Sequence, residues 1–376
     1  MQKYFSIFLI IYCFSCSQTK KNDIQTGLSA NIGLIDKKAT PETKSLYSSL
    51  KEISKDYFLY GHQDDMAYGV GWWAEEGRSD VKEVCGSYPA VFGWEIGNIG
   101  KERNIDSIRF VDLKKWIIKV YGMGGVNTIS WNMNNPVSLK SAWDVTKAVY
   151  SILPGGNKHE EYKGELKTYA KFNAELVDKN GVQVPIIFRA FHENNGNWFW
   201  WGKKHCKPDE YTGLFKFTVN YLRDSLNIHN LIYVYSPDGQ FDDYIERYPG
   251  DDYVDILGFD YYFRNELNDK EINLFTRKLI DLTEMANSRN KLAVLSETGY
   301  EALPDSLFHK KAFLEPIRNN KAKINLGYFL FWRNVNKKHH YAPYPGHFDS
   351  SDFINFYEDS LSLFLDDLPN LYLSKK

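Results

Sequence analysis

The sequence predicts an α/β chain folded as a single (β/α)8 TIM barrel, and three observations carry that expectation. Eight short, mostly apolar segments recur along 376 residues, and each closes on polar side chains. Apolar residues at helical spacing lie between several of them, which is the alternation that builds a parallel barrel. No internal repeat and no interdomain linker divides the chain, and its length suits one barrel with extended loops after the strands.

Taken in order, Thr40-Pro41 opens a helix, with threonine as N-cap, proline in the first turn, and Leu46, Leu50 and Ile53 on one face. The strands expected next are Phe58–Asp64, Ala90–Asn98, Val126–Asn132 and Val184–Glu193. Leu231–Asp238, Val254–Tyr262, Leu292–Glu297 and Leu326–Asn334 complete the eight. Asp112–Tyr121, Tyr211–Asn227, Glu271–Ser288 and Leu307–Asn319 read as helices, whereas 65–89, 136–182 and 334–354 read as long segments that shape a cleft. Chemistry in such barrels collects at the C-terminal strand ends, where Glu193 and Glu297 both fall.

The N-terminus reads as an export signal: a lysine, a short apolar run from Phe5 to Phe14, then Ser15-Cys16. The run is too brief to span a bilayer. Ser15-Cys16 resembles a bacterial lipoprotein processing site. The expected organisation is a signal over 1–15, a flexible tether over 16–38 carrying a lipid on Cys16, and the catalytic domain over 39–376. That places the protein in the cell envelope, held to the membrane by its lipid alone. The residues after Cys16 lack an acidic cluster resembling surface-export signals, which favours a periplasm-facing anchor. Cys85 and Cys206 are isolated and signal neither a disulfide nor a metal site.

With 43% hydrophobic and 25% charged residues the composition is globular, and a formal net charge of -2 gives no reason to expect a nucleic acid partner. An uncharged substrate and a monomer are expected. Aromatic residues reach 16%, with 10 Trp, 26 Tyr and 24 Phe, which serves either a large core or a stacking surface for sugars.

Two carboxyl groups at opposed strand tips satisfy glycoside hydrolysis, in which one protonates the leaving oxygen and the other attacks carbon or activates water. A separation of about 5–5.5 Å would mark retention of configuration. Glu193 needs an aromatic wall and a neighbouring negative charge to stay protonated, while Glu297 must stay ionised. Arg189, four residues before Glu193, is either the group that holds Glu297 ionised or a buried structural arginine. His192 points away from Glu193 on an ideal strand unless a bulge re-aims it, and a core histidine is the alternative. Trp131, Trp198 and Trp332 offer flat faces for pyranose rings. At least one of Trp200 and Trp201 must pack inward. Tyr262 and Asp260 share a strand face beside Glu297.

The run Arg189-Ala190-Phe191-His192-Glu193-Asn194-Asn195-Gly196-Asn197-Trp198-Phe199-Trp200-Trp201-Gly202 resembles the acid/base signature of glycoside hydrolase family 26, largely endo-β-1,4-mannanases. Gly61-His62-Gln63-Asp64, Ser296-Glu297-Thr298-Gly299 and Phe331-Trp332-Arg333-Asn334 extend the resemblance over about 46–366. It implies Glu193 as acid/base, Glu297 as nucleophile, His192 hydrogen-bonded near the nucleophile, Tyr262 beside it, and Trp198 stacking on the leaving-group side. His62, Trp332 and Arg333 resemble positions that contact sugar on the opposite side. The implied substrate is β-mannan or its oligosaccharides, with no cofactor. The alternatives are a relative cleaving another β-glucan or xylan, and a glycan-binding protein without turnover. His339, His340 and His347 lie in a proline-rich rim loop from which no metal site is expected.

Overall fold

A computed structural model describes residues 33–373. Eight parallel strands form the barrel: β1 Phe58–Gln63, β2 Val91–Glu95, β3 Val126–Trp131, β4 Ile186–Ala190, β5 Leu231–Tyr235, β6 Ile256–Phe263, β7 Leu292–Tyr300 and β8 Tyr328–Phe331. Each pairs with the next, and β8 returns to β1 through Leu59–Tyr328 and Gly61–Leu330, so no long edge is left unpaired.

The first helix, α1 (Pro41–Ile53), starts as the sequence predicts, with Thr40 Oγ1 accepting from Thr43 N. Its Leu46, Tyr47, Leu50 and Ile53 pack with the strands' inward residues Leu59, Val91, Ile187, Ile232, Ile256 and Val294. It therefore plugs the end of the barrel opposite the strand tips. Outside lie α2 (Asp80–Cys85), α3 (Phe110–Gly122), α4 (His159–Ala174), α5 (Pro208–Asn220), α6 (Asp269–Ser288), α7 (Glu315–Asn319) and α8 (Ser350–Glu358). The connection from β5 to β6 contains turns and no helix.

Strand alternation explains the aromatic content. Inward positions pass from aliphatic at the plugged end to polar at the mouth, as in Val91, Gly93 and Glu95, or Ile187 and Arg189. Outward positions carry Phe58, Tyr60, Phe92, Trp94, Phe188, Tyr233, Phe259 and Phe331, which bury against the helices. Gly93 is needed at its level, because a Cβ there would stand 2.0 Å from Gln63 Oε1.

The body begins earlier than the expected boundary at residue 39. Leu34 is buried, Ile35 N donates to Asp255 Oδ1 at 2.7 Å, and Asp36 pairs with His229 at 2.8 Å, so residues 33–38 are packed against the barrel rather than being tether. The signal and Cys16 lie outside the described residues. Among the described residues no helix is long and apolar enough to cross a membrane, and Cys85 and Cys206 are free thiols.

Candidate active site

A cavity of about 510 Å³ opens at the C-terminal strand ends, with Glu193, Glu297, His192, Trp198, Tyr262 and Trp332 on its wall. The sequence names all six. Their convergence depends on how β4 ends. Phe191 (φ 53°) and Glu193 (φ 49°) take left-handed backbone conformations, which interrupt the alternation and turn both His192 and Glu193 towards the cavity. The turn is braced on every side: Glu193 N donates to Ser236 O at 2.8 Å, Trp201 Nε1 to His192 O at 2.8 Å, and Tyr211 Oη to Phe191 O at 2.9 Å. Trp200 and Trp201 are both core residues; Trp201 braces the turn, while Trp200 Nε1 donates to Met133 O at 2.9 Å.

The two glutamates have different surroundings. Glu297 receives Arg189 Nη2 on one oxygen and Tyr262 Oη at 2.7 Å on the other, so a cation and a hydroxyl stabilise its negative charge. Glu193 is half-buried beside apolar walls and accepts one neutral donor, Trp198 Nε1, at 2.6 Å. Burial, then the charges of Glu297 and Asp238, push its pKa up to about 8. His192 offers a ring nitrogen within 4.8 Å of the carboxylates of Asp260 and Glu297, and its Nδ1 has no hydrogen-bond partner among the described residues. Burial and the Arg189 charge depress its pKa, leaving a neutral imidazole.

Five residues expected at the site lie off the cavity wall. Asp260 and Arg189 are buried behind the wall: Arg189 Nη1 donates to Asp260 Oδ2 at 3.0 Å, and Ser296 Oγ to Asp260 Oδ1 at 2.7 Å. Arg189 supports Glu297 from below, and Asp260 holds Arg189 in place. Trp131, 2% exposed, sits in the outward series of β3 and packs on Tyr169 and Phe188, so it offers no platform. His62 is outward on β1 for the same reason of parity, and its Nδ1 meets Asp65 Oδ1 at 2.8 Å. Arg333 is half-buried behind the wall, with Nη1 bonded to Tyr68 Oη at 3.2 Å and to Asp106, and its guanidinium lies 5.9 Å from the Trp332 ring.

Other residues on the wall escaped the sequence reading, notably Trp143, Arg264, Tyr300, Glu301 and Tyr341. Trp143, half exposed and 5.5 Å from Phe199, was discernible only as a lone tryptophan in a polar stretch. Glu95 was also missed. Buried below the wall, it accepts from Gly97 N, Asn132 N, Asn132 Nδ2 and Ser130 Oγ at 2.5–2.9 Å, and so fixes Asn132 at the cavity. Its pKa is raised to about 7 by burial, against those four donors.

Two carboxyl groups, one gripped by a cation and the other accepting from an indole, in an aromatic-walled cleft at a barrel mouth, define a glycoside hydrolase. Comparison with known proteins narrows the class. The chain belongs to glycosyl hydrolase family 26, whose model matches residues 35–343. It resembles the structure of a β-mannanase of that family from Bacteroides ovatus, at 39% identity and a TM-score of 0.84, covering 89% of this chain and 98% of that one. A modular endo-β-1,4-mannanase from Cellulomonas fimi aligns at 31% identity and a TM-score of 0.84, over 90% of this chain and 79% of that one. In sequence the chain is 36% identical over 289 residues to a mannan endo-1,4-β-mannosidase of Bifidobacterium adolescentis. That match covers 73% of this chain and spans 28% of the relative's length.

Proposed function

We propose that the chain is a mannan endo-1,4-β-mannosidase that cleaves mannan, galactomannan or glucomannan and their oligosaccharides by double displacement. The observation that carries this reading is the inequality of Glu193 and Glu297 within one cavity. Glu297 attacks the anomeric carbon and forms a glycosyl ester while Glu193 protonates the departing oxygen. The ester removes the negative charge of Glu297, one of the influences that keep Glu193 protonated. The acidity of Glu193 then rises, and it serves as base for the water that releases the sugar. Trp198, bonded to the proton donor, flanks the leaving group; Trp332 faces the sugar retained on the enzyme, with Arg333 behind it. Family membership and the mannanase activities named for the relatives support mannose as the sugar.

The test is hydrolysis of β-1,4-mannan and mannohexaose by wild type, Glu193→Ala and Glu297→Ala, with products resolved over time. Both variants should lose about 10²–10⁴-fold in rate, and the accumulating product should be chiefly mannobiose. A wild type that cleaves xylan or mixed glucan but not mannan overturns the substrate; inertness on all three overturns the enzyme reading in favour of a glycan-binding protein. We further infer an exported monomer anchored through a lipid on Cys16 and facing the periplasm. Labelled fatty acid should enter wild type but not Cys16→Ala, and protease added to intact cells should leave the protein whole.

A further inference from the structure

Away from the cleft, in the layer where α8 packs on β1, three titratable side chains converge that the proposed reaction does not use. His309, Asp349 and Asp352 are buried, with side-chain exposures of 0%, 0% and 1%. The rings of Phe308, Phe331, Phe353 and Phe356 surround His309 with centroids 5.0–5.6 Å away. His309 Nδ1 stands 3.2 Å from Asp349 Oδ2 and 3.4 Å from Asp352 Oδ2.

These contacts lack the geometry of an ordinary ion pair, which closes along one N–H···O line. Here one nitrogen is shared almost equally by two carboxylates and aligned with neither. Among the described residues, His309 Nδ1 and both oxygens of Asp349 have no hydrogen-bond partner. Asp352 Oδ2 is held in place by His309 N at 2.8 Å and Lys310 N at 3.2 Å, and Asp349 N donates to His347 Nδ1 at 3.2 Å. The Asp352 carboxylate is therefore fixed by backbone N–H groups, while the Asp349 carboxylate and the His309 ring keep their polar atoms free to bind. The spacings match those between neighbouring ligands of one small cation, since bonds of about 2.0–2.1 Å in tetrahedral directions place ligand atoms about 3.3 Å apart. Two carboxylates set against a single imidazole leave an excess of acidic groups in an aromatic shell, a costly burial unless it is compensated.

We propose that His309, Asp349 and Asp352 form a structural site for a divalent transition-metal cation, zinc or manganese by donor set. The site is independent of the proposed reaction. Its ion would tie the start of the helical segment after β7 to the rim loop that follows β8, and that loop carries Tyr341 on the cavity wall. The rim histidines do not supply the ligands: His339 pairs with Glu301 at 2.7 Å, and His340 faces His347 at 3.2 Å.

The test uses full-length protein without a polyhistidine tag, dialysed against chelator, then separately against Zn²⁺, Mn²⁺ and Ca²⁺, and passed through a desalting column. Metal content by mass spectrometry should show about one equivalent of Zn²⁺ or Mn²⁺ retained and no Ca²⁺, with a Tm that rises on loading and falls with chelator. Retention should drop about tenfold or more in Asp349→Asn and in His309→Gln, and persist in Glu297→Gln, which disables the other His/Asp/Glu cluster at the cleft. Wild type that retains no ion and keeps its Tm in chelator overturns the proposal and leaves His309 as an imidazolium between carboxylates. An ion lost from Glu297→Gln but kept by Asp349→Asn overturns it too. The wild-type arms decide even where a variant does not fold.

Discussion

Trp198 and Glu193 illustrate how one bond can set a working pH. The indole N–H stabilises the charged carboxylate, opposing the burial and the neighbouring charges that raise its pKa to about 8. In Trp198→Phe that opposition is gone, so the basic limb of kcat/KM against pH should move to higher pH; a limb that stays or moves down would show that another group carries the proton. Removing the negative neighbour acts in the opposite direction. In Glu297→Gln, Glu193 should titrate below its wild-type value, as measured by carbon NMR of labelled glutamate, since a like charge no longer opposes ionisation. At this scale the sequence was legible where a residue's chemistry and its strand-end position agreed, as for Glu193, Glu297 and Tyr262. It failed at Trp131 and His62, because facing inward or outward depends on parity, and a one-residue difference in where a strand begins reverses it. Glu95 was hidden for another reason: three of its four donors come from Ser130 and Asn132, 35 and 37 positions away, which only the barrel brings to it.

All eight strands were readable as elements because each is buried on both faces and is a nearly unbroken apolar run. Helices were harder. α4 buries Tyr162, Leu166, Tyr169 and Phe172 at helical spacing but lies inside 136–182, read as a long cleft-shaping segment, and β5 is followed by turns with no helix. Among the strands, β4, β6 and β7 are coupled through one guanidinium: Arg189 holds both Asp260 and Glu297, all three buried. Arg189→Met should destabilise the fold by about 3–5 kcal/mol in urea unfolding, because it leaves buried carboxylates without their cation. A loss under about 1 kcal/mol would mean that Ser296 and Tyr262 compensate alone. The connection after β3 offers a gain instead. Leu139 is 79% exposed with φ 60°, a conformation that L side chains adopt at a cost, so Leu139→Gly should add about 0.5–1 kcal/mol in the same assay.

The molecule as a whole is a barrel plugged at one end and open at the other, and the chain enters at the plugged end. Residues 33–38 belong to that end, where Ile35 caps Asp255 and Tyr47 Oη donates to Asp255 O at 2.8 Å. A chain starting at residue 33 should match the full-length Tm, whereas one starting at 39 should be less stable by about 1–3 kcal/mol, since Asp255 loses a buried partner; equal Tm values for the two would return the boundary to 39. The sequence did not reveal this segment because it is short and polar, and its one buried apolar side chain, Leu34, gives no periodicity to read. The same polarity of the barrel has a practical consequence. Coupled to a bead or an electrode at Gly33, every molecule would present its open mouth to the flowing liquid, oriented by its architecture.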